Sequence, residues 1–327
     1  MNPFKFSMAQ NPNQVISMLL KNENAALLGG GTNLLDLMKE HVSNPNELID
    51  ISGLDLGAIK QSSIGISLGA TAKNTDTANH PTVRKDFPML SKAILAGASA
   101  QIRNMATNGG NLLQRTRCSY FYDIAMPCNK RQPGSGCAAM EGFNRMHAIF
   151  GWSNKCVAVY PSDMAVALSA LRASVRVLQP DGNLRNIAFD DFHLLPGSQP
   201  EKDNSLKRGE LITSIEIPKN ELAAHSSYIK VRDRNSYAFA LVSVATGLEI
   251  KEGRINAAHI SLGGVAHKPW RAFKAEAYLK GKTPSQANFR KAAEMEMVSA
   301  KPLSQNKFKV QMAENCIIKG LELALKG

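Results

Sequence analysis

The chain has 327 residues, 44% hydrophobic and 20% charged, with 24 Gly, 15 Pro and neither a low-complexity tract nor an internal repeat; this describes a globular chain long enough for two domains and excludes a disordered or fibrous one. The net charge of +12 favours an anionic ligand or partner, but Lys and Arg are scattered without a basic run or an aromatic–basic motif, so no nucleic acid partner is expected. Met1-Asn2-Pro3-Phe4-Lys5-Phe6 does not open a signal peptide and no stretch is long enough to span a bilayer, so the expectation is a soluble chain with no export address of its own and no membrane contact.

In chain order, Ala25 to Leu28 reads as a short buried strand, Gly29-Gly30-Gly31-Thr32-Asn33 as a turn, Leu34 to Glu40 as a helix and Leu48 to Ile51 as a returning strand. Ile64 to Ala70 alternates as a strand, Asn74 to Ala78 opens a short helix, and a longer helix is expected over Met89 to Arg103. A second polar glycine turn follows at Ala106 to Leu113. Residues 115–157 lack periodicity, and an irregular segment that long inside a domain is usually functional. Asp163 to Leu171 resumes as a helix, and Ser174 to Leu178 with Leu184 to Phe189 reads as a hairpin over Pro180-Asp181-Gly182-Asn183. Leu211 to Ile217 is a strand. Beyond a composition shift at Pro218 to His225 come strands at Tyr228 to Arg232, Leu248 to Ile250 and Ile255 to Leu262. Helices are expected at Ser285 to Ser299 and Lys307 to Leu325. The class is α+β in two lobes, 1–220 and 221–327.

The first glycine turn joins a strand to a helix. Glycine permits positive φ and close approach, and successive free N–H groups form an anion cradle; Thr32 and Asn33 add side-chain donors. The turn is neither a GxGxxG nor a GK[ST] loop. A plain βα turn is the competing reading. The second turn, Thr107-Asn108-Gly109-Gly110-Asn111, would let two loops grip one extended ligand such as a dinucleotide.

Five cysteines are present, and Cys118, Cys128, Cys137 and Cys156 fall in the irregular segment, separated by nine, eight and eighteen residues. Four thiolates suit a [4Fe–4S] cluster or a tetrahedral zinc, although structural zinc sites usually include a close pair. Arg115, Arg117, Lys130 and Arg131 lie beside the first two and would favour an anionic cluster, which Tyr120, Phe121 and Tyr122 could shield. His147 reads as a hydrogen-bonding loop residue and His267 as structural. Cys316, on a helix with Ala313, Ile317 and Leu321, reads as a buried apolar residue. Phe192 to Gly197 is expected to border the ligand. No nucleophile–base pair and no nicotinamide site are evident.

The run Ala26-Leu27-Leu28-Gly29-Gly30-Gly31-Thr32-Asn33-Leu34 resembles the first pyrophosphate loop of the xanthine dehydrogenase family's FAD domain. Thr107, Asn108, Gly110 and Asn111 resemble its second loop, although Asn108 stands where many relatives carry an apolar residue. Asp163 matches a third landmark, Lys230 to Ala240 its flavin-side strand, and Ser261 to Ala266 a C-terminal landmark. The resemblance covers nearly the whole chain in order. It implies a vanillyl-alcohol-oxidase-type (PCMH) FAD-binding domain of two subdomains over 1–220, carrying a 115–157 insertion. A CO-dehydrogenase-flavoprotein-like domain over 221–327 would follow. Asp163 would meet ribityl or ribose hydroxyls, or else cap the helix that starts there, and Lys230 would meet the flavin pyrimidine or be an ordinary strand lysine. Asn111 to Cys137 is similar to the flavin subunits of bacterial three-subunit periplasmic aldehyde oxidoreductases, which implies that Cys118, Cys128, Cys137 and Cys156 bind a [4Fe–4S] cluster. The same resemblance implies an oxidoreductase heterotrimer with a [2Fe–2S] subunit and a large molybdenum-cofactor subunit. Electrons would pass through FAD to an external acceptor, in the periplasm by co-export or in the cytoplasm. Two alternatives are a self-sufficient FAD oxidase, which needs an acid or base over the flavin, and a zinc-stapled nucleic-acid-binding protein, which the glycine turns disfavour.

Overall fold

The computed structural model describes residues 1–327. The chain opens with β1 (Lys5–Met8), α1 (Pro12–Lys21), β2 (Ala25–Leu28), α2 (Leu34–Lys39) and β3 (Glu47–Asp50). The strands form a parallel sheet in the order β1-β3-β2. Parallel neighbours need a crossover: α2 joins the neighbours β2 and β3, while α1 carries the chain from β1 past the place of β3 to β2. Asn11 starts α1 by accepting the Gln14 N–H at 2.9 Å, and Pro12 stands in its first turn. Neither β1 nor α1 belonged to the expected elements.

Next come β4 (Ile59–Ser62), β5 (Gly65–Gly69), α3 (Asn74–Asn79), α4 (Pro81–Asp86), α5 (Pro88–Ala96), α6 (Ala100–Met105), α7 (Asn108–Leu112), α8 (Ser119–Tyr122), α9 (Asp163–Ala170), β6 (Ser174–Leu178), β7 (Leu184–Ala188), α10 (Phe189–Phe192) and β8 (Leu211–Pro218). The strands make an antiparallel sheet in the order β4-β5-β8-β6-β7. Met89, Leu90 and Ile94 of α5 and Met164 and Leu168 of α9 share its buried core with Leu68, Val175 and Ile215. The helix expected over Met89 to Arg103 is broken into α5 and α6. Ala98 between them adopts φ 49°, Ser99 caps α6 by accepting the Ile102 N–H at 3.3 Å, and Arg103 donates to the Gly97 carbonyl at 2.6 Å. Local capping overrides a helical apolar pattern here.

The second lobe holds β9 (Ser226–Val231), β10 (Val242–Lys251), β11 (Arg254–Gly263), β12 (Trp270–Arg271), α11 (Phe273–Leu279), α12 (Gln286–Met297) and α13 (Phe308–Lys326). Its antiparallel sheet runs β12-β11-β10-β9, with Val244, Leu248, Ile260 and Leu262 packed against Phe289, Ile317 and Leu321 of the helices. β10 begins six residues before the expected strand, because Val242 to Gly247 is buried throughout and shows no alternation. Cys316 lies in this core, as expected. The lobes meet where α5 and α9 pack on β9 and β10. No helix is long and apolar enough to cross a membrane.

Candidate cofactor sites

Ala26, Leu27 and Leu28 run half-buried along β2 into the first glycine turn. None of the backbone N–H groups of Gly29, Gly30, Gly31, Thr32, Asn33 and Leu34 donates to a backbone acceptor in the chain. Gly31 has φ +69°, and the turn presents successive free donors, the arrangement that cradles an anion. A methyl on Gly30 would overlap the Met105 carbonyl oxygen and lie 2.6 Å from its carbon. A methyl on Gly29 would lie 2.9 Å from Thr107 Oγ1. The two glycine turns thus touch each other, and only residues without a Cβ allow the approach.

The second turn is more a buttress than a row of donors. Thr107 caps α7 through the Gly110 N–H at 3.2 Å. Asn108 is fully buried: its N–H donates to the Ala72 carbonyl at 2.9 Å, and its amide engages Asn74, Thr77 and the Gly69 carbonyl. Its side chain therefore cannot meet a ligand, contrary to its place in the expected binding set. Asn111 donates to Asn74 at 2.8 Å and accepts from Ser162 Oγ at 2.5 Å. Of Thr107, Asn108, Gly110 and Asn111, only Gly110 is exposed.

Between the lobes lies a cavity of about 380 Å³. Thr116, Tyr160, Ser162 and Asp163 line it from the first lobe, and Phe239, Ser243 and Gly263 from the second. Its size falls in the ligand-site range. Asp163 faces it with both oxygens engaged: Tyr228 donates to Oδ1 at 2.5 Å and Lys230 to Oδ2 at 2.8 Å. The N-cap of α9 is Ser162, so Asp163 is not the cap. Lys230 does not line the cavity. Its side chain is 4% exposed, and the ammonium joins Asp163 to the Ala96 carbonyl that ends α5, at 3.0 Å, with Arg232 donating to the same carbonyl at 3.1 Å. The expected approach of Lys230 to a flavin ring gives way to an interlobe clasp, because a buried ammonium takes the nearest carboxylate and helix end. The loop from Phe192 to Gly197 also lies away from this cavity. Phe192 and His193 are drawn into the core, His193 Nε2 donating to the Leu112 carbonyl at 2.9 Å.

Cys118, Cys128, Cys137 and Cys156 line one small cavity, together with Lys130 and Lys155. Cys128 and Cys137 face each other across an isolated antiparallel bridge, and Ser153 and Cys156 across another. A hydrogen bond from Cys156 holds the Cys137 thiol down to about 6, while burial pushes Cys118 up to about 11. No group of three or more His, Cys, Asp or Glu residues is arranged to hold a single metal ion. Cys118 and Thr116 line both this cavity and the interlobe one. His147 is buried with Nε2 3.1 Å from Cys118 Sγ, and burial followed by the Lys309 charge lowers it to about 4.

Around the thiols, Asp203 pairs with Lys130 and with Arg115, the latter at 2.6 Å. Arg131 donates to the carbonyls of Tyr120 at 2.9 Å and Phe121 at 2.8 Å. From the last helix, Lys309 donates to the carbonyls of Met146 at 3.1 Å, His147 at 3.0 Å and Gly264 at 2.6 Å. Asn306 adds the carbonyls of His147 at 3.1 Å and Ala148 at 3.2 Å. His267 is buried with neither ring nitrogen bonded. Tyr228, Asp203 and Lys309 were not among the candidates from sequence. Each is defined by a partner remote in sequence and leaves no local motif.

Residues 2–220 match the family described as FAD binding domain in molybdopterin dehydrogenase, and residues 227–324 match the CO dehydrogenase flavoprotein C-terminal domain. The chain belongs to the FAD-binding subunits of the molybdenum hydroxylase family, which are oxidoreductase subunits. It is 46% identical, over 97% of its length and 96% of the relative's, to the aldehyde oxidoreductase FAD-binding subunit PaoB of Escherichia coli. It is 27% identical, over 85% of its length and 82% of the relative's, to the glyceraldehyde dehydrogenase medium chain of Sulfolobus acidocaldarius. Carbon monoxide dehydrogenase from Hydrogenophaga pseudoflava shares the fold, with a TM-score of 0.77 at 22% identity over 99% of this chain and 98% of that one.

Proposed function

We propose that this chain is the electron-transferring subunit of a molybdenum-dependent aldehyde oxidoreductase and holds a [4Fe–4S] cluster beside its FAD. The observation that carries the reading is the adjacency of the two cavities, with Cys118 and Thr116 in the wall of both. The free N–H groups of residues 29–34 suit the FAD pyrophosphate, and Asp163, an acceptor fixed by Tyr228 and Lys230, suits a ligand hydroxyl. A single ion needs ligands that converge on one point, whereas a four-iron cluster takes one thiolate at each iron and fills the space between them. Four thiols around one cavity, with two lysines in its wall, match the second donor set. When bound, FAD can take up an electron pair and release it singly, and a [4Fe–4S] cluster exchanges single electrons.

The chain's own residues position rather than react. Asp163, Tyr228 and Lys230 fix one wall of the interlobe cavity, and Lys130 and Lys155 place positive charge in the wall of the thiol cavity. The proposed assembly adds a [2Fe–2S] subunit that delivers electrons, a large molybdenum-cofactor subunit that oxidises the aldehyde, and an external acceptor. The compartment is the periplasm, reached by co-export with a partner. The resemblance of Asn111 to Cys137 to flavin subunits of that kind supports these assignments. The test is the visible spectrum of the anaerobically purified complex, with metal analysis and acid release of the flavin. FAD with about four irons per chain is expected. FAD with zinc and no iron would remove the cluster from the proposal, and a flavin-free intact complex would overturn it entirely.

A further inference from the structure

Asn33, the last residue of the first glycine turn, does not spend its side chain on a ligand. Its Oδ1 accepts the backbone N–H of Arg115 at 2.8 Å, at the start of the cysteine segment. Its Nδ2 donates to the Tyr122 hydroxyl at 3.3 Å, within that segment. The Tyr122 hydroxyl in turn donates to Asp36 Oδ2 at 2.9 Å, one turn along α2. Below these bonds Leu37 of α2 is buried in a cluster with Phe121 and Cys128, and the Arg115 guanidinium lies 4.7 Å over the Phe121 ring. The turn with the free N–H groups and the helix that follows it are therefore seated on the segment that carries the thiols.

Asn33 and Asp36 are three residues apart, and Asn33 and Leu37 four, so one face of α2 makes all these contacts. α2 is short, and an isolated helix of that length has no stability of its own. Its direction, and with it the direction of the N–H groups of residues 29–34, is set by what it rests on. The rest is a largely irregular segment tied by isolated bridges and by side-chain bonds from Asp203, Asn306 and Lys309, with the thiol cavity enclosed within it.

We infer that the cysteine segment is the scaffold of the FAD pyrophosphate loop, so that an ordered, loaded thiol cavity holds FAD in place through Tyr122 and Asn33. The inference rests on the proposed cluster only for what orders the segment. The contact of α2 with the segment stands without it. Tyr122 and Asn33 are positioning residues, and the coupling predicts that loss of the cluster loosens the flavin.

The experiment measures the FAD dissociation rate, by recovery of free-flavin fluorescence, together with iron content, on the full chain in its complex. Tyr122→Phe removes the bonds to Asn33 and Asp36 without touching a thiol. It should speed FAD release roughly three- to tenfold, the net scale of one typical hydrogen bond, because the two lost bonds act on the flavin only through the loop they position, with iron retained. Tyr278→Phe, which loses a hydroxyl bond to Asn288 at 3.2 Å in the far lobe, should leave release unchanged and serves as the control for general destabilisation. Cys137→Ser, outside the Leu37 cluster, should empty the thiol cavity of iron and speed FAD release by at least as much as Tyr122→Phe. Adding Tyr122→Phe to it should then change the rate by less than about twofold, because coupled sites are not additive. Wild-type FAD release from Tyr122→Phe, or from iron-free Cys137→Ser, would overturn the inference. A wild-type chain without iron would instead overturn the cluster reading, and Tyr122→Phe against Tyr278→Phe would still decide whether the segment carries the loop.

Discussion

Gly30→Ala is the sharpest probe of the first glycine turn. The added methyl would overlap the Met105 carbonyl oxygen and lie 2.6 Å from its carbon and 2.9 Å from the Ala106 Cα. All three are backbone atoms, so no rotamer change relieves the clash. The opposing strap is itself pinned, because Ala106 donates to the Ile102 carbonyl at 2.7 Å and its own carbonyl accepts the Asn74 N–H at 2.9 Å. The turn must therefore move by about 1 Å, and overpacking of this kind costs about 1–3 kcal/mol. A shift of that size takes at least one N–H out of reach of a bound phosphate, and a hydrogen bond to a charged group contributes about 1.5–3 kcal/mol. FAD affinity should fall roughly 10- to 100-fold, at 1.4 kcal/mol per tenfold. The assay is titration of the deflavinated protein with FAD, followed by flavin fluorescence. Gly53→Ala, where a methyl meets nothing within 4 Å, is the neutral control. Affinity of Gly30→Ala within twofold of wild type would refute the assignment of this turn as the phosphate seat.

Three further outcomes follow from the clasps. Lys230→Met leaves Asp163 with Tyr228 alone and should cost about 3 kcal/mol, the low end for breaking a buried pair, because Tyr228 and Arg232 keep their bonds; an unchanged thermal transition would contradict it. Asp203→Asn strips the buried Lys130 of its charged partner and should destabilise by about 2–3 kcal/mol, discounted because Asp203 is 25% exposed. Comparative thermal melts decide, and no shift would show the pair to be dispensable. Burial holds His193 down to about 4, below its ordinary 6.5. The unfolded chain then binds the extra proton, so this group's contribution is intact above pH 6.5 and lost as pH falls from 6.5 towards 4. His193→Gln should flatten that limb of the pH–stability curve, and a curve superimposable on wild type would exclude neutral burial.

Both candidate sites stand out by residue type. A Gly-Gly-Gly-Thr-Asn turn after a strand and four cysteines in an aperiodic segment are informative without neighbours. The duties of individual side chains were not. Asn33 read as a ligand donor at the end of a glycine turn and Asn108 as a member of the second binding loop, yet a Tyr and an Arg far along the chain capture the first side chain, and a buried Asn–Thr set captures the second. Lys230 read as a flavin contact, and the carboxylate and helix end that hold it come from segments more than sixty residues away. The break between α5 and α6 depends on a single positive φ that no apolar pattern encodes. For the side chains the missing information was a tertiary partner, and for the helix break it was local capping that the apolar period masked in the sequence.

The bonds from Lys309 and Asn306 to the carbonyls of Met146, His147 and Ala148 carry a consequence for the order of synthesis. Lys309 stands at the start of α13, a nineteen-residue helix, so the cysteine segment leaves the ribosome long before the residues that fasten its end. The first lobe can collapse while those residues are still being made, whereas the Met146–Ala148 end of the cysteine segment lacks these bonds until α13 docks. A chain stalled before Phe308 should therefore show a protease-resistant first lobe with residues 115–157 cleavable. Whatever the four thiols hold would then enter after the whole chain has been made.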